Sequence, residues 1–131
     1  MDFQLKLFSW PDPGPHVIAL GTGILNADSV REIFNEIGKT TELLSNPKIL
    51  LDLARTDYYL QSGELENLVR EVASDRRLAK AMIAIVSPRD IDEYHTFLTF
   101  SAVLSSAGLH AAAFNNITTA VDWLVIGSCN L

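Results

Sequence analysis

An aspartate ends a short apolar segment in the middle of the chain. The segment 48–54 carries Asp52 near its end, and α/β proteins place ligands and phosphoryl acceptors at the carboxyl ends of such buried strands. A phosphoryl-accepting aspartate also needs a metal site made of acidic side chains and a lysine from a later strand. The other predicted strand ends, at 9–11, 21–23 and 115–116, supply neither. We therefore interpret Asp52 as a structural carboxylate that binds nearby backbone amides.

The other residue types that commonly perform catalysis lack partners at motif spacing. None of the three histidines, His16, His95 and His110, has an acid or a nucleophile at motif spacing. His16 follows a proline-rich turn, where a surface position is expected. The single Cys129 has no second cysteine for an internal disulfide and no companions for a zinc site. The sequence therefore predicts no catalytic residues, no metal and no cofactor, and a protein that is not an enzyme.

Composition and charge limit the classes of partner. The 131 residues are 48% hydrophobic and 20% charged, which is typical of a single globular domain, here assigned to 1–131. A net charge of −6 and a pI near 4.9 argue against binding to nucleic acid. No apolar run is long enough to span a bilayer, and no secretory signal is apparent. With one cysteine, a cytoplasmic location is expected.

Hydrophobic periodicity predicts an alternation of strands and helices. The predicted elements, in chain order, are strands at 3–10 and 17–20, a turn at 21–23, a helix from 27 to about 44, a strand at 48–54, a loop at 55–61, a helix from 63, a strand at 81–86, a helix at 88–107, a strand at 109–114, a helix at 118–124 and a loosely held tail at 125–131. This order predicts a single-domain α/β fold, with a mainly parallel sheet, an N-terminal antiparallel edge strand and about four helices. The glycines at 21–23 are assigned to a turn because a phosphate-binding loop would need a third glycine at Asn26.

The first two helices carry one apolar stripe each. In the first helix, Asn26 or Asp28 is the predicted N-cap, and the predicted buried stripe is Val30, Ile33, Phe34, Ile37 and Leu44. In the second, Ser62 is the predicted N-cap, and the predicted buried face is Leu65, Leu68, Val69 and Val72.

The third helix carries two apolar stripes, which is more than a surface helix of a small domain needs. The first consists of Ile91, Tyr94, Leu98 and Ala102. The second, rotated from it, consists of Phe97, Phe100 and Leu104. The second stripe is interpreted either as a partner surface, a dimer face or the wall of an apolar pocket, or as part of one wide buried face.

Several segments resemble STAS domains, the fold of bacterial anti-sigma-factor antagonists. The segment Leu51-Asp52-Leu53-Ala54-Arg55-Thr56-Asp57-Tyr58-Tyr59-Leu60-Gln61-Ser62-Gly63 resembles the family core, in which a strand ending Asp-Leu leads to an Asp-Ser-Ser-Gly motif that opens a helix. Segments 20–25 and 85–88 resemble other strand ends of the family. Ala113-Phe114-Asn115-Asn116, with Ala120-Val121-Asp122-Trp123-Leu124, is similar to the closing pattern of the SpoIIAA-like, STAS/SEC14-type branch.

The resemblance implies a binding surface at the junction between the third strand and the second helix, since family members dock partners there. The residues it implicates are Asp57, Tyr58, Tyr59, Gln61, Ser62 and Gly63. In phospho-regulated members a kinase modifies the serine that corresponds to Gln61 here, which cannot accept phosphate. Ser62, the next residue, is the candidate phosphoacceptor, and the alternative is that Ser62 serves only as the helix cap.

The resemblance therefore implies a bacterial-type, non-catalytic regulatory module. Its expected partner is a protein, such as an anti-sigma-factor-like kinase or regulator, bound through the junction around 55–63. The alternative function is a carrier of a small apolar ligand, lipid or nucleotide. A homodimer is a further open alternative, through the second stripe of the third helix.

Overall fold

The computed structural model describes residues 3–9, 15–42, 44, 46–61, 63–87 and 91–129. This part of the chain contains five strands and four helices with one short 3-10 turn. In chain order they are β1 (Gln4–Ser9), β2 (Val17–Leu25), α1 (Ala27–Thr41), β3 (Lys48–Tyr58), α2 (Glu64–Ala73), the 3-10 turn (Arg76–Leu78), β4 (Met82–Val86), α3 (Ile91–Ser106), β5 (His110–Phe114) and α4 (Ile117–Cys129).

The strands form one sheet in the order in which they follow one another in the chain, β1-β2-β3-β4-β5. β1 pairs antiparallel with β2, whereas β2, β3, β4 and β5 are parallel to their neighbours. The predicted α/β fold, with a mainly parallel sheet and an antiparallel edge strand, is confirmed.

The helices divide unequally between the two faces of the sheet. Because each parallel crossover adds the next strand on the same side, crossovers of one hand place α1, α2 and α3 on the same face. The larger cluster of buried apolar side chains lies between these three helices and the sheet. The smaller cluster lies under α4 on the opposite face and consists of Leu50, Met82, Ala84, Val86, Ala120 and Leu124. None of the helices in the described part of the chain has the length and apolar character needed to cross a membrane.

β3 is the central strand of the sheet, as its continuous apolar run predicts. Alternate side chains enter the two clusters, so that Ile49, Leu51 and Leu53 face α1–α3 while Leu50 faces α4. All four side chains are at most 2% exposed. The strand is therefore covered on both faces.

Two strands are longer than predicted, and they are longer because they pair with each other. The predicted turn at 21–23 and the first half of the predicted loop at 55–61 are both strand. Thr22, Gly23, Ile24 and Leu25 of β2 pair with residues 55–58 of β3, and this pairing satisfies the backbone groups that a loop would expose to water. The glycine at 21 serves close packing, because an added Cβ would lie 3.0 Å from both Phe3 and Leu53.

The first and last helices differ from prediction only near their C-terminal ends. The side chain of Asn26 accepts a hydrogen bond from the backbone N of Ser29 at 2.9 Å, so one of the two predicted N-caps of α1 is confirmed. α1 ends at Thr41, and Leu44 is 42% exposed rather than part of the buried stripe. α4 continues to Cys129, so residues 125–129 of the predicted tail are helical.

The two apolar stripes of α3 lie in different environments. Phe97, Phe100 and Leu104 are each at most 2% exposed and belong to the larger core cluster. The second stripe is therefore a buried face and not a free partner or dimer surface. Tyr94 and Leu98, of the first stripe, are half-buried. The wide-face interpretation is confirmed for the second stripe, and its Phe100 also lines a groove, as the pocket-wall interpretation predicts. The oligomeric state stays a prediction.

His16 connects the start of β2 to the start of β3. Its Nδ1 accepts a hydrogen bond from the backbone N of Lys48 at 3.0 Å, and its own backbone N donates to the Lys48 carbonyl at 2.8 Å. Lys48 is buried, so its amide depends on this imidazole rather than on water. His16 is a structural residue, and the prediction of a simple surface turn position is incomplete.

We expect His16→Ala to lower the free energy of unfolding by about 1–2 kcal/mol, because the buried amide of Lys48 loses its acceptor. Urea denaturation measures the change. His95→Ala, at an exposed position on α3, is the control and should stay within about 0.5 kcal/mol of the wild type. Equal losses in the two variants would contradict the role of His16.

A half-buried ion pair within the 3-10 turn is hydrogen-bonded to α1. The guanidinium of Arg77 donates to Asp75 at 2.7 Å and to the side chain of Asn35 at 3.2 Å. The Arg77 carbonyl accepts from Thr41 Oγ1 at 2.9 Å. Arg77 crosses α1 at Gly38, where an added Cβ would lie 2.7 Å from the guanidinium carbon. This close approach explains a residue that is otherwise unfavourable inside a helix.

The ion pair predicts a pH dependence of stability. Hydrogen bonds from Arg77 lower the pKa of Asp75 from its ordinary value of 3.8. A folded-state pKa below the unfolded value contributes stability above about pH 4 that is lost as the pH falls through the folded pKa. Asp75→Asn and Arg77→Gln should therefore both flatten the loss of stability between about pH 5 and pH 3, as measured by urea denaturation across that range. Wild-type steepness in both variants would contradict this assignment.

Candidate functional site

An open groove lies between α2 and α3, next to the end of β3. Its volume is about 530 Å³. The residues that line it, hereafter the α2–α3 groove, are Tyr58, Leu60, Gln61, Gly63, Leu65, Glu66, Val69, Arg70, Thr96, Thr99, Phe100 and Val103. The groove thus combines the strand-to-helix junction with one side of each helix.

The floor of the groove is apolar and belongs to the packed core. Leu60, Val69 and Phe100 contribute to it and belong to the larger core cluster, with 9%, 5% and 2% of their surfaces exposed. The ring of Tyr58 meets Phe97 edge to face, with centroids 6.1 Å apart, and Phe97 meets Phe100 in the same way at 6.1 Å. Contacts of this kind fix ring orientations, so the floor does not depend on a ligand for its shape.

The rim of the groove carries polar and partly exposed side chains. Arg70 and Glu66 are exposed and lie one turn apart on α2. Neither forms an ion pair within the part of the chain that the structure describes. On α3, Thr96 and Thr99 donate their hydroxyl hydrogens to backbone carbonyls one turn earlier, and Val103 is 45% exposed.

The junction between β3 and α2 is closed by backbone contacts and one carboxylate. The backbone N of Tyr59 donates to the Leu25 carbonyl at 2.9 Å, which continues the pairing of β3 with β2. Gly63 is the N-cap residue of α2, with φ of +91°, a conformation that favours glycine. Glu64 accepts from the backbone N of Gln61 at 2.7 Å. Ser62, predicted as the cap and as a phosphoacceptor, lies outside the described residues.

The predicted binding residues separate into two groups. Tyr58, Gln61 and Gly63 line the groove. Asp57 and Tyr59 flank Tyr58 in the chain and are exposed, with 64% of the surface of Tyr59 accessible, but neither lines the groove. A pocket wall is one of the alternatives that the sequence leaves open for the second stripe of α3, and Phe100 of that stripe does line the groove. Sequence reasoning did not identify Thr96, Thr99 and Val103, which with Phe100 follow the i, i+3, i+4, i+7 spacing of one helical face. This spacing is the sequence signal from which the α3 side of the groove could have been predicted.

Asp52 stabilises a bulge in β3. Leu20 is opposite Asp52 and Thr22 is opposite Arg55, so β3 has one residue more than β2 over this interval. The carboxylate of Asp52 accepts from the backbone N of Ala54 at 3.0 Å, inside the bulge. Thr56 Oγ1 donates to the Leu53 carbonyl at 2.7 Å. The interpretation of Asp52 as a structural carboxylate is confirmed.

A smaller polar cavity of about 260 Å³ lies beside the bulge of β3 at Asp52 and at the carboxyl ends of β4 and β5. Arg55, Asn115 and Asn116 contribute to it. The side chain of Asn116 is already engaged, since it accepts from the backbone N of Thr119 at 2.9 Å and caps α4. Among the described residues Arg55 forms no ion pair, so this cavity combines a cationic side chain with an engaged carboxylate.

The histidines are not brought together. His16 binds the start of β3, His95 is exposed on α3, and His110 packs against Trp123 with ring centroids 5.2 Å apart. Within the described ranges, no group of three or more His, Cys, Asp or Glu side chains is arranged to hold a metal ion.

Two substitutions separate the hydrogen-bonding role of Asp52 from any role of its negative charge. Asp52→Asn keeps an oxygen that can accept from Ala54, and it should retain stability within about 1 kcal/mol of the wild type. Asp52→Ala leaves that amide without its acceptor and should lose about 1–2 kcal/mol. Thermal and urea unfolding of both variants measure the difference. A larger loss in Asp52→Asn than in Asp52→Ala would contradict the hydrogen-bonding role.

No protein-family model matches the sequence, and no curated protein matches it. Among solved structures, the chain is similar to the crystal structure of an uncharacterized protein from the DUF3478 family of Shewanella loihica PV-4, described as having a SpoIIAA-like fold. The sequence identity is 13%, the similarity covers 93% of each chain, and the TM-score is 0.56. At this identity the likeness establishes the fold alone. The chain therefore has a SpoIIAA-like, STAS-like fold, as its sequence motifs predict.

Proposed function

We propose that the chain is a non-catalytic binding module that docks a regulatory protein partner beside and within the α2–α3 groove. The observation that carries the proposal is that an open groove with an apolar floor is lined by Tyr58 and by exposed Gln61, and that exposed Asp57 and Tyr59 flank Tyr58 in the chain. Protein interfaces commonly combine an apolar centre with a polar rim, and they are enriched in tyrosine.

The extension of β3 as far as Tyr58 also supports docking at this position. β3 extends to Tyr58 through its pairing with β2, so Asp57 and Tyr59 are held at the end of a strand rather than on a long loop. A rigid presentation lowers the entropy that a partner must overcome when it binds. The STAS resemblance supports docking at the same junction, and it suggests an anti-sigma-factor-like kinase or regulator as the partner.

Phosphorylation of Ser62 is a further part of this proposal. A phosphate there would lie near the N-terminus of α2, where the helix dipole is favourable to anions. Glu64 and Glu66 follow within the first turn of that helix and would oppose the added charge. Because the helix dipole and these two carboxylates act in opposite directions, we expect phosphorylation of Ser62 to weaken partner docking rather than to create it.

The size of the groove favours a second candidate, which is a carrier of a small apolar ligand. Its volume of about 530 Å³ lies within the range of about 300–1,000 Å³ that is typical of small-molecule sites. Both candidates are binding functions. They differ in whether the exposed side chains beside the groove or the apolar floor provides the specific contacts.

Affinity purification of the full chain from its source cells tests the docking proposal. The variant combines Asp57→Ala with Tyr59→Ala, which removes the two exposed side chains that flank Tyr58 without touching the core. We expect the amount of one specific partner, quantified by mass spectrometry, to fall about tenfold or more, since central aromatic side chains dominate many interfaces.

The matched control combines Asp122→Ala with Ile126→Ala on α4, on the opposite face of the sheet. Ile126 is 58% exposed, so this variant also removes one exposed acid and one exposed apolar side chain. It should recover the partner at the wild-type level. Equal recovery from the wild type and both variants would overturn the proposed surface.

A further inference from the structure

We propose that the α2–α3 groove binds a single-chain amphiphile with a carboxylate head group, and that Arg70 binds that head group. This inference rests on the carrier candidate and adds the chemical class of the ligand. Its test does not depend on protein docking through Asp57 and Tyr59.

The apolar part of the ligand is assigned from the floor. Leu60, Val69 and Phe100 form a continuous apolar surface that is fixed by core packing, and Leu65 and Val103 extend it toward solvent. A flexible alkyl chain can cover such a strip and remove its exposed apolar area from water, which is favourable roughly in proportion to the area covered. Val103 gains most from this, because 45% of its surface is accessible.

The head group is assigned from charge. Arg70 is the one cationic side chain among the described residues that line the groove, and it makes no ion pair there. A guanidinium offers donors in a planar arrangement that matches both oxygens of a carboxylate. Arg31 and Arg77 differ from Arg70, because each forms an ion pair with an acidic side chain of the protein itself.

Glu66 sets the orientation of the ligand. It also lines the groove, and it lies one turn closer to the β3–α2 junction than Arg70 does. An anionic head near Glu66 would be repelled, so the head lies at the Arg70 end and the alkyl chain runs toward Leu60. The Glu66 carboxylate would instead favour a cationic head group at the junction end of the groove. Comparing ligands with anionic and cationic head groups therefore tests the assignment to Arg70.

The test compares three ligands with the same ten-carbon chain: decanoate, decanol and decyltrimethylammonium. Isothermal titration of the full chain, with every ligand below its micelle-forming concentration, measures affinity and stoichiometry. We expect one decanoate to bind per chain, about tenfold more tightly than decyltrimethylammonium. Arg70→Gln should weaken decanoate about tenfold, the effect of losing a charge-assisted contact, and leave decanol unchanged.

Two further variants locate the site. Arg76→Gln removes an exposed arginine of the 3-10 turn, outside the groove, and should change no affinity. Val103→Gln, at a position already exposed to solvent, should weaken decanoate and decanol alike because it interrupts the apolar strip. Thermal unfolding confirms that each variant is folded.

Three results would overturn the inference. The first is the absence of saturable decanoate binding, which would also remove the carrier candidate. The second is equal affinity of Arg70→Gln and the wild type for decanoate, which would leave a carrier without the assigned head group. The third is a preference for the cationic ligand. In each case the affinity-purification result for Asp57 and Tyr59 stands on its own.

Discussion

The parallel pairing of β2 with β3 is the interaction on which the candidate site depends. Beyond the bulge at Asp52, four further residue pairs carry both strands past the point where their apolar runs end. This extension brings Tyr58 against Phe97 of α3 and leaves only a short connection before α2 begins. The α2–α3 groove therefore has a wall of hydrogen-bonded strand at one end, and its shape is a property of the sheet.

The order of elements could be predicted from the sequence because apolar periodicity reports which face of an element is buried. β3, α2 and the core face of α3 follow that rule, as does the Asn26 cap of α1. Strand lengths could not be predicted in the same way. Residues 21–23 and 55–58 are polar or glycine-rich, so nothing in their own composition indicates that they satisfy one another's backbone groups. Only the paired structure supplies that information.

The candidate site, likewise, could be predicted from the sequence only in part. Its junction could be recognised from a local motif, and Tyr58, Gln61 and Gly63 do line the groove. The half contributed by α3 depends on which flank of that helix faces α2, a tertiary relationship that the sequence spacing of Thr96, Thr99 and Val103 does not state. Phe100 illustrates the point, since it belongs to the hydrophobic core and also forms the floor of the groove.

The strand order has a consequence for how the chain folds. Each parallel strand lies beside the one that precedes it in sequence, so every crossover can close on structure that has already formed, and the sequence separation between paired strands stays small. Domains dominated by short separations fold faster than those that must join distant segments. α4 is the exception, because it returns across the sheet to cover β3 and β4. Until α4 docks, the apolar side chains of Leu50, Met82 and Val86 face water. The docking of α4 is therefore the step that buries the second face of the sheet.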